Sequence, residues 1–84
     1  MMHKIYKYEL ELTEKQVIQT HDLFRPRHID LQDGKICLWA SVDPTTRERA
    51  FTVYCYGTGH EIDCQDTYIG TVQKDGFVWH FFGE

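Results

Sequence analysis

The chain of 84 residues lacks three features that mark common functional classes. No segment of ten residues carries a helical pattern of apolar positions, so we expect no long helix. No apolar run approaches the ~20 residues of a membrane span, so we expect no membrane partner. Positive charge is also scarce. Nine basic and 13 acidic residues give a net charge of -4, which disfavours nucleic acid as a partner.

Nucleophiles and metal ligands are few as well. Ser41 is the only serine, and it lies inside a predicted strand instead of at a strained turn. Cys37, Cys55 and Cys64 are an odd number of cysteines, and we expect no signal peptide. We therefore expect reduced thiols and a cytoplasmic location. Cys55, His60 and Cys64 could bind a metal, with His80 as a fourth ligand. Their spacing matches no common zinc motif, and we expect neither a metal nor another cofactor.

Alternation of apolar and polar residues dominates the chain and predicts strands. The first strand is expected near the start, with Tyr6, Tyr8, Leu10 and Leu12 on one side. Asp-Gly dipeptides at 33–34 and 75–76 predict two hairpins with type I′ turns, because both central positions need positive φ. These turns fix the expected cross-strand pairs: Leu31 with Ile36, Ile29 with Leu38, His28 with Trp39, Val72 with Trp79, Thr71 with His80, and Gly70 with Phe81.

The remaining segments complete an all-β domain. Residues 50–56 are rich in β-forming side chains. Residues 13–16 fit a capping box with one helical turn at most, or else Val17 and Ile18 belong to a short strand. We expect a single domain over residues 1–84 with six or seven mostly antiparallel strands. These would follow one another as a meander and curl into a small barrel or sandwich.

Both faces of the predicted strands are apolar, although an antiparallel sheet with one solvated face should be polar on that side. The expected core side holds Ile29, Leu31, Ile36, Leu38, Ala40, Val42, Phe51, Val53, Cys55, Tyr68, Val72, Phe77, Trp79 and Phe81. The opposite side holds His28, Cys37, Trp39, Thr52, Tyr54, Tyr56, Ile69, Thr71, Val78, His80 and Phe82. Either the same chain covers this second face, or it is an interface with a second copy or a ligand.

The loop of residues 57–61 is the first place to look for a site, because it combines flexible backbone with a hydroxyl, an imidazole and a carboxylate. Its glycines could let backbone N–H groups converge on a phosphate or carboxylate. No lysine and no helix follow, which excludes a P-loop. The simpler interpretation is a turn with positive φ, in which the imidazole bonds to a strand end. The loop residues are Gly57, Thr58, Gly59, His60 and Glu61.

Histidines elsewhere have simple structural explanations. His28 opposite Trp39 and His80 opposite Thr71 fit packed strand residues with one satisfied nitrogen, while a pH-sensitive contact is the alternative. The basic cluster at residues 25–28 (RPRH) predicts a solvated loop, or else an anion contact.

Five segments together resemble a family of small, uncharacterised phage and prophage proteins. They are residues 5–10 (IYKYEL), 37–44 (CLWASVDP), 57–60 (GTGH), 68–72 (YIGTV) and 78–82 (VWHFF). The resemblance covers most of the chain but not the segment around residues 25–28. It implies a phage origin and action in the cytoplasm of an infected host cell. It implies no reaction, and no catalytic residue follows from it.

Three functions remain open at this point. The first is a non-enzymatic protein that binds a host or defence-system protein stoichiometrically, as a homo-oligomer, with Trp39, Tyr54 and Tyr56 as anchors. The second is a nucleotide sponge that uses the loop of residues 57–60 with stacking on the same rings. The third is a small hydrolase or metal-binding domain built on His60 and Glu61. We expect the first, without enzymatic activity.

Overall fold

The computed structural model describes residues 3–62 and 67–84, which form seven antiparallel strands in two stacked sheets. The three-stranded sheet has the order β1-β4-β3, and the four-stranded sheet has the order β2-β5-β7-β6. The strands are β1 (Lys4–Leu10), β2 (Lys15–His21), β3 (Phe24–Gln32), β4 (Lys35–Val42), β5 (Glu48–Gly57), β6 (Thr67–Lys74) and β7 (Phe77–Gly83). The predicted all-β, antiparallel class is confirmed, and the form is a sandwich, not a closed barrel.

Both Asp-Gly hairpins have the predicted register. Asp33 and Asp75 have φ of 53° and 54°, and the glycines that follow have φ of 78° and 82°. This is the positive φ that a type I′ turn needs at both central positions. All six predicted cross-strand pairs occur, from Leu31 opposite Ile36 to Gly70 opposite Phe81.

The strand order is not the meander that we expected. Only β3–β4 and β6–β7 are neighbours both in sequence and in a sheet. The chain passes from β1 in one sheet to β2 in the other, returns for β3 and β4, and then crosses again to β5. Period-two alternation shows which side of a strand is apolar, but it carries no information about which strand lies alongside.

The core lies between the two sheets. The three-stranded sheet contributes Leu10, Ile29, Ile36 and Leu38. The four-stranded sheet contributes Phe51, Val53, Cys55, Val72 and Phe81. Aromatic edges extend this core, since the Tyr8 and Phe24 rings lie 5.8 Å apart and the Phe24 and Phe51 rings 4.6 Å apart. Such contacts add to the stability that area burial alone gives a small domain.

A bulge in β6 reverses the predicted faces of two side chains, those of Tyr68 and Ile69. The pairing with β7 shifts between Tyr68 and Gly70, so Tyr68 lies opposite Phe82 and Gly70 opposite Phe81. Tyr68, expected in the core, is therefore 55% exposed, whereas Ile69, expected outside, packs against the core. An extra residue in one strand moves the following side chains to the other face.

Three further expectations need correction, and one open alternative is decided. Leu12, expected in the first strand with Leu10, is 42% exposed, because β1 ends at Leu10. Phe77 is 63% exposed, because it begins β7 beside the hairpin turn. Residues 25–28 lie within β3, with a register shift between Pro26 and His28, and do not form a loop. The short-strand alternative for Val17 and Ile18 is right: both belong to β2, so the one-turn helix does not form. Pairing with β5 satisfies the backbone of this segment.

The turn between β4 and β5 is held by the buried carboxylate of Asp43. It accepts hydrogen bonds from the Thr45 backbone N–H at 3.0 Å and from the Thr45 hydroxyl at 2.5 Å. These two bonds lower the pKa of Asp43 below its usual range, and the bond from the hydroxyl contributes more than the bond from the backbone N–H. The carboxylate is thus part of the corner that carries the chain from one sheet to the other.

Candidate functional site

A tight turn ends β5 and forms one rim of the site. The His60 backbone N–H donates to the Gly57 carbonyl at 3.1 Å, and Gly59 has φ of 89°. The Gly57 N–H in turn donates to Nδ1 of His60 at 3.2 Å. Because Nδ1 accepts this bond, the neutral imidazole carries its proton on Nε2. The turn therefore matches the simpler prediction, a positive-φ turn with its imidazole bonded to a strand end.

The turn uses two of its own backbone N–H groups, which leaves fewer of them to bind an anion. An anion nest needs successive backbone N–H groups that point toward a common ligand. The N–H groups of Gly57 and His60 are both donated within the turn itself. Fewer backbone donors are consequently left for a phosphate than the glycine pattern suggested.

A cleft of about 760 Å³ opens beside this turn. One wall is residues 12–15, which comprise part of the β1–β2 connection and the first residue of β2, and the other is the end of β5 with the turn. β2 pairs with β5, with Lys15 opposite Tyr54, and the Cys55 N–H donates to the Glu14 carbonyl at 3.1 Å, so the two walls are held together. The lining residues are Leu12, Thr13, Glu14, Lys15, Tyr54, Cys55, Tyr56, Gly57, His60, Glu61 and Trp79.

The cleft has an aromatic and an acidic component. Tyr54, Tyr56 and Trp79 are among its lining residues, with Trp79 on the core-facing side of the sheet and the two tyrosines on the outer side. The ammonium of Lys15 lies 5.9 Å from the centroid of Tyr54. This separation is within the range of a cation–π contact. Glu14 and Glu61 are the other charged residues in the lining. The lining thus combines aromatic residues with one basic and two acidic residues.

Two buried groups border the cleft. Burial raises the pKa of the Cys55 thiol to about 11, so it is protonated at neutral pH and a poor nucleophile. Trp79 has a buried indole N–H without a hydrogen-bond partner among residues 3–62 and 67–84. An unpaired buried donor of this kind costs about 1–3 kcal/mol. The ring of Trp79 also approaches Gly57, where an added Cβ would lie 3.3 Å from Cζ3.

An aromatic patch continues from the cleft across the outer side of the four-stranded sheet. We call it the aromatic face, and it comprises Tyr54, Tyr56, Tyr68 and Phe82. The Phe82 ring meets Tyr56 at 5.8 Å and Tyr68 at 5.5 Å between centroids, both in edge-to-face geometry. Tyr54 donates from its hydroxyl to Glu84 at 2.8 Å. Tyr54, Tyr56 and Phe82 are half-buried, and Tyr68 is exposed.

A chain of hydroxyls and one imidazole connects the turn with the aromatic face. His80 bonds through Nε2 to the Thr58 hydroxyl at 2.8 Å and through Nδ1 to the Thr71 hydroxyl at 3.1 Å. Thr71 bonds in turn to the Tyr68 hydroxyl. Both ring nitrogens of His80 are thus engaged in holding the turn and β6 in place. The predicted pairing of His80 with Thr71 is confirmed.

The structure gathers most of the predicted site residues but separates two of them. Trp39 and His28 pair on the outer side of the three-stranded sheet, with ring centroids 5.8 Å apart. The aromatic face lies on the outer side of the other sheet, so Trp39 does not share a surface with Tyr54 and Tyr56. The residues that line the cleft or lie next to it are Gly57, Thr58, Gly59, His60, Glu61, Tyr54, Tyr56 and His80.

Sequence reasoning missed the wall of the cleft that residues 12–15 form. Their contribution depends on the pairing of β2 with β5, which joins segments about 35 residues apart in sequence. The only sequence signal was the charged run TEKQ at residues 13–16, which also fits a helix start.

The described part of the chain holds no group of three or more His, Cys, Asp or Glu side chains arranged to bind a metal. Cys37 and Cys55 are free, buried thiols. Cys64, a member of the Cys55–His60–Cys64 spacing considered above, lies outside the described residues. Within residues 3–62 and 67–84 there is also no helix with the length and apolar character to cross a membrane.

Fold and site together define a small antiparallel β-sandwich with a cleft at one end of an aromatic sheet face. The family model described as "domain of unknown function (DUF7352)" matches residues 1–84, so the chain belongs to this family. No curated protein and no solved structure gives a significant match. The family membership agrees with the resemblance to uncharacterised proteins and assigns no activity.

Proposed function

We propose that this protein is a non-enzymatic binding protein that engages another protein stoichiometrically through the aromatic face and the adjoining cleft. The observation that carries this proposal is the edge-to-face cluster of Tyr56, Phe82 and Tyr68, which ends in an exposed tyrosine and shares the residue Tyr56 with the lining of the cleft. Tyrosine and tryptophan dominate the energetics of protein interfaces, because each buries a large area with few rotatable bonds.

The state of the reactive side chains supports binding over catalysis. The raised pKa keeps the Cys55 thiol protonated. The Nδ1 atom of His60 accepts a backbone N–H, and both nitrogens of His80 are bonded to hydroxyls. A general base needs a lone pair directed at a substrate proton. The Nδ1 atom of His60 and both ring nitrogens of His80 therefore hold the fold in this arrangement.

We also propose where the protein originates and which class of protein it binds. The sequence resemblance implies a phage or prophage protein, and we propose a host or defence-system protein in the cytoplasm as the partner. We also propose that the protein is a homo-oligomer. The exposed fractions of Val17 (53%) and Tyr68 (55%), on the outer side of the four-stranded sheet, support contact with a further surface.

The test is affinity capture from a bacterial lysate with a matched pair of variants. Tyr68→Ala removes an exposed ring of the aromatic face, and Phe77→Ala removes an equally exposed ring outside that face. We expect the wild type and Phe77→Ala to retain a partner in a fixed molar ratio, and Tyr68→Ala to bind about tenfold or more weakly. Equal retention by both variants would contradict the proposal. Light scattering gives the oligomeric state of each.

A nucleotide in the cleft is the second candidate function. The cleft volume of about 760 Å³ favours it, because ligand pockets are usually about 300–1,000 Å³. The use of the Gly57 and His60 N–H groups within the turn weighs against a phosphate contact. In a thermal-shift screen, a nucleotide at ~100 times its Kd should stabilise the protein by about 2.7 kcal/mol. No shift with any nucleotide removes this candidate.

A further inference from the structure

We infer that two copies of the chain associate through their β2 strands, which pair antiparallel and join the two four-stranded sheets into one sheet of eight strands. This inference rests on the homo-oligomer of the proposed function and names the surface that forms it. Two observations carry it. The first is the set of backbone groups that β2 directs away from β5, and the second is the contrast between β2 and the other edge strands.

The hydrogen bonds of β5 determine which backbone groups of β2 lie on its outer edge. In an antiparallel pair, opposite residues alternate between those that share backbone hydrogen bonds and those that direct these groups away from each other. Thr52 of β5 exchanges both backbone bonds with Glu84, at 2.9 and 3.0 Å, whereas the Cys55 N–H donates to the Glu14 carbonyl. Even-numbered residues of β5 therefore bond toward β7, and odd-numbered residues bond toward β2.

The same alternation holds within β2. Its register places Gln16 opposite Val53 and Ile18 opposite Phe51, so Gln16 and Ile18 direct their backbone groups to β5. In the part of the chain that the structure describes, β2 pairs with no strand on its other side and packs closely only against β5. The residues whose N–H and C=O groups point away from the sheet are Lys15, Val17 and Gln19.

Of the four edge strands that the structure describes, β2 alone lacks the features that keep edges from pairing with another chain, such as charged side chains, prolines and bulges. β1 carries exposed charges at Lys4, Lys7 and Glu9. β3 has Pro26 and a register shift, β6 has a bulge, and these two strands also pack against each other. Residues 16–20 of β2 (QVIQT) contain no charge and no proline, and their pairing with β5 is regular.

A second copy fits this edge because β2 is complementary to itself. In an antiparallel pair centred on Val17, the outward backbone groups of Val17 meet those of Val17 in the second copy, and Lys15 lies opposite Gln19. No like charges face each other in this register. Val17 is 53% exposed and would pack against its equivalent, a β-branched cross-strand pair of the kind that stabilises sheets.

This arrangement also places the binding surfaces. The two-fold axis of such a pair is perpendicular to the sheet, so the outer sides of both four-stranded sheets face the same way. The two aromatic faces then lie on one surface of the dimer. A partner with two matching sites would gain avidity from this arrangement.

The test is sedimentation velocity of charge variants over a series of protein concentrations. Val17→Lys and Val17→Glu each place like charges opposite one another in the pair, whereas Ile5→Lys adds a charge at a similarly exposed position of β1. We expect the wild type and Ile5→Lys to form dimers, and each Val17 variant to dimerise about tenfold or more weakly. An equimolar mixture of the two Val17 variants should restore a dimer with one copy of each. An unchanged dimer of Val17→Lys, or a mixture that stays monomeric, would overturn the inference.

Amide hydrogen exchange locates the pairing residue by residue. The N–H groups of Gln16 and Ile18 bond to β5, so they should exchange slowly in the wild type and in monomeric Val17→Lys, which also shows that the variant is folded. The N–H groups of Lys15 and Gln19 should exchange slowly only in the wild-type dimer. Rapid exchange of Gln19 in that dimer would overturn the inference.

The outcomes separate this inference from the proposed function. If Val17→Lys is still a dimer, the inference fails and the homo-oligomer stands with another interface. If the wild type is monomeric, both the inference and the homo-oligomer fail, while capture that depends on Tyr68 still supports partner binding. If Val17→Lys then abolishes capture by a monomeric protein, a strand of the partner occupies β2 in place of a second copy. Capture that is independent of Tyr68 refutes the proposed binding surface whatever the oligomeric state.

Discussion

Gly70 lies where β6 of the four-stranded sheet meets β3 of the other sheet. Its replacement by alanine gives a quantitative test of the fold. A Cβ at this position would lie 2.1 Å from Cγ2 of Ile29, on the neighbouring strand β3. Carbon atoms in contact are normally about 3.5–4.0 Å apart, so the methyl group must move by about 1.4 Å or more. Ile29 is only 5% exposed and cannot move outward into solvent.

The cost follows from this overpacking. We expect Gly70→Ala to lower the free energy of unfolding by about 2–3 kcal/mol. For a domain of this size, that lowers Tm by about 10–20 °C. The assay is urea denaturation followed by tryptophan fluorescence, with and without the substitution.

A double-mutant cycle isolates the cause. Ile29→Ala alone removes the clashing methyl and should cost about 2–5 kcal/mol as a cavity in the core. The Ile29 Cβ that remains lies 3.5 Å from the added Cβ, which is an ordinary contact. In this background Gly70→Ala should therefore cost less than about 0.5 kcal/mol, a coupling of about 2 kcal/mol. A neutral Gly70→Ala, or fully additive costs, would refute the reasoning.

Two further predictions concern ionisable groups. The pKa of the Cys55 thiol, raised to about 11 from 9.0 by burial, leaves about a hundredfold less thiolate at pH 8. Iodoacetamide should thus label Cys55 far more slowly in the folded than in the urea-unfolded protein. Peptide mass mapping measures both labelling rates, and equal rates would count against the buried position of Cys55. Because the pKa of Asp43 is lowered in the fold, its carboxylate stabilises the protein above the usual carboxyl range. This contribution is lost as the pH falls through the lowered pKa. The free energy of unfolding of Asp43→Asn should then vary less between about pH 5 and pH 2 than that of the wild type, and parallel curves would contradict the role of this carboxylate.

The parts of the fold that the sequence predicted are those with local causes. Asp33 and Asp75, each followed by glycine, determine both the turn type and the register of their hairpins. The apolar alternation in β4 and β5 places Leu38 and Val53 in the core without any knowledge of the neighbouring strands. Such features depend on a few adjacent residues, so they can be read from one segment at a time.

The parts that the sequence did not predict depend on distant segments. The bulge at Tyr68 and Gly70 fits the approach of β6 to Ile29, which no local pattern in residues 67–74 records. Likewise, alternation shows that Trp39 points away from the core, but a sandwich has two outer sides. Only the strand order shows that Trp39 and Tyr54 lie on different ones. The cleft required the same non-local information, since β2 supplies Lys15 opposite Tyr54.

The two tryptophans of the chain offer the most direct test of where the protein binds. Trp79 lines the cleft, and Trp39 lies on the outer side of the other sheet. With 5-fluorotryptophan incorporated, each gives a separate ¹⁹F resonance that can be followed as a captured partner is added. A change in chemical shift at Trp79 with an unchanged position for Trp39 is the predicted result. A shift confined to Trp39 would contradict the assignment of the binding surface to the cleft and the aromatic face.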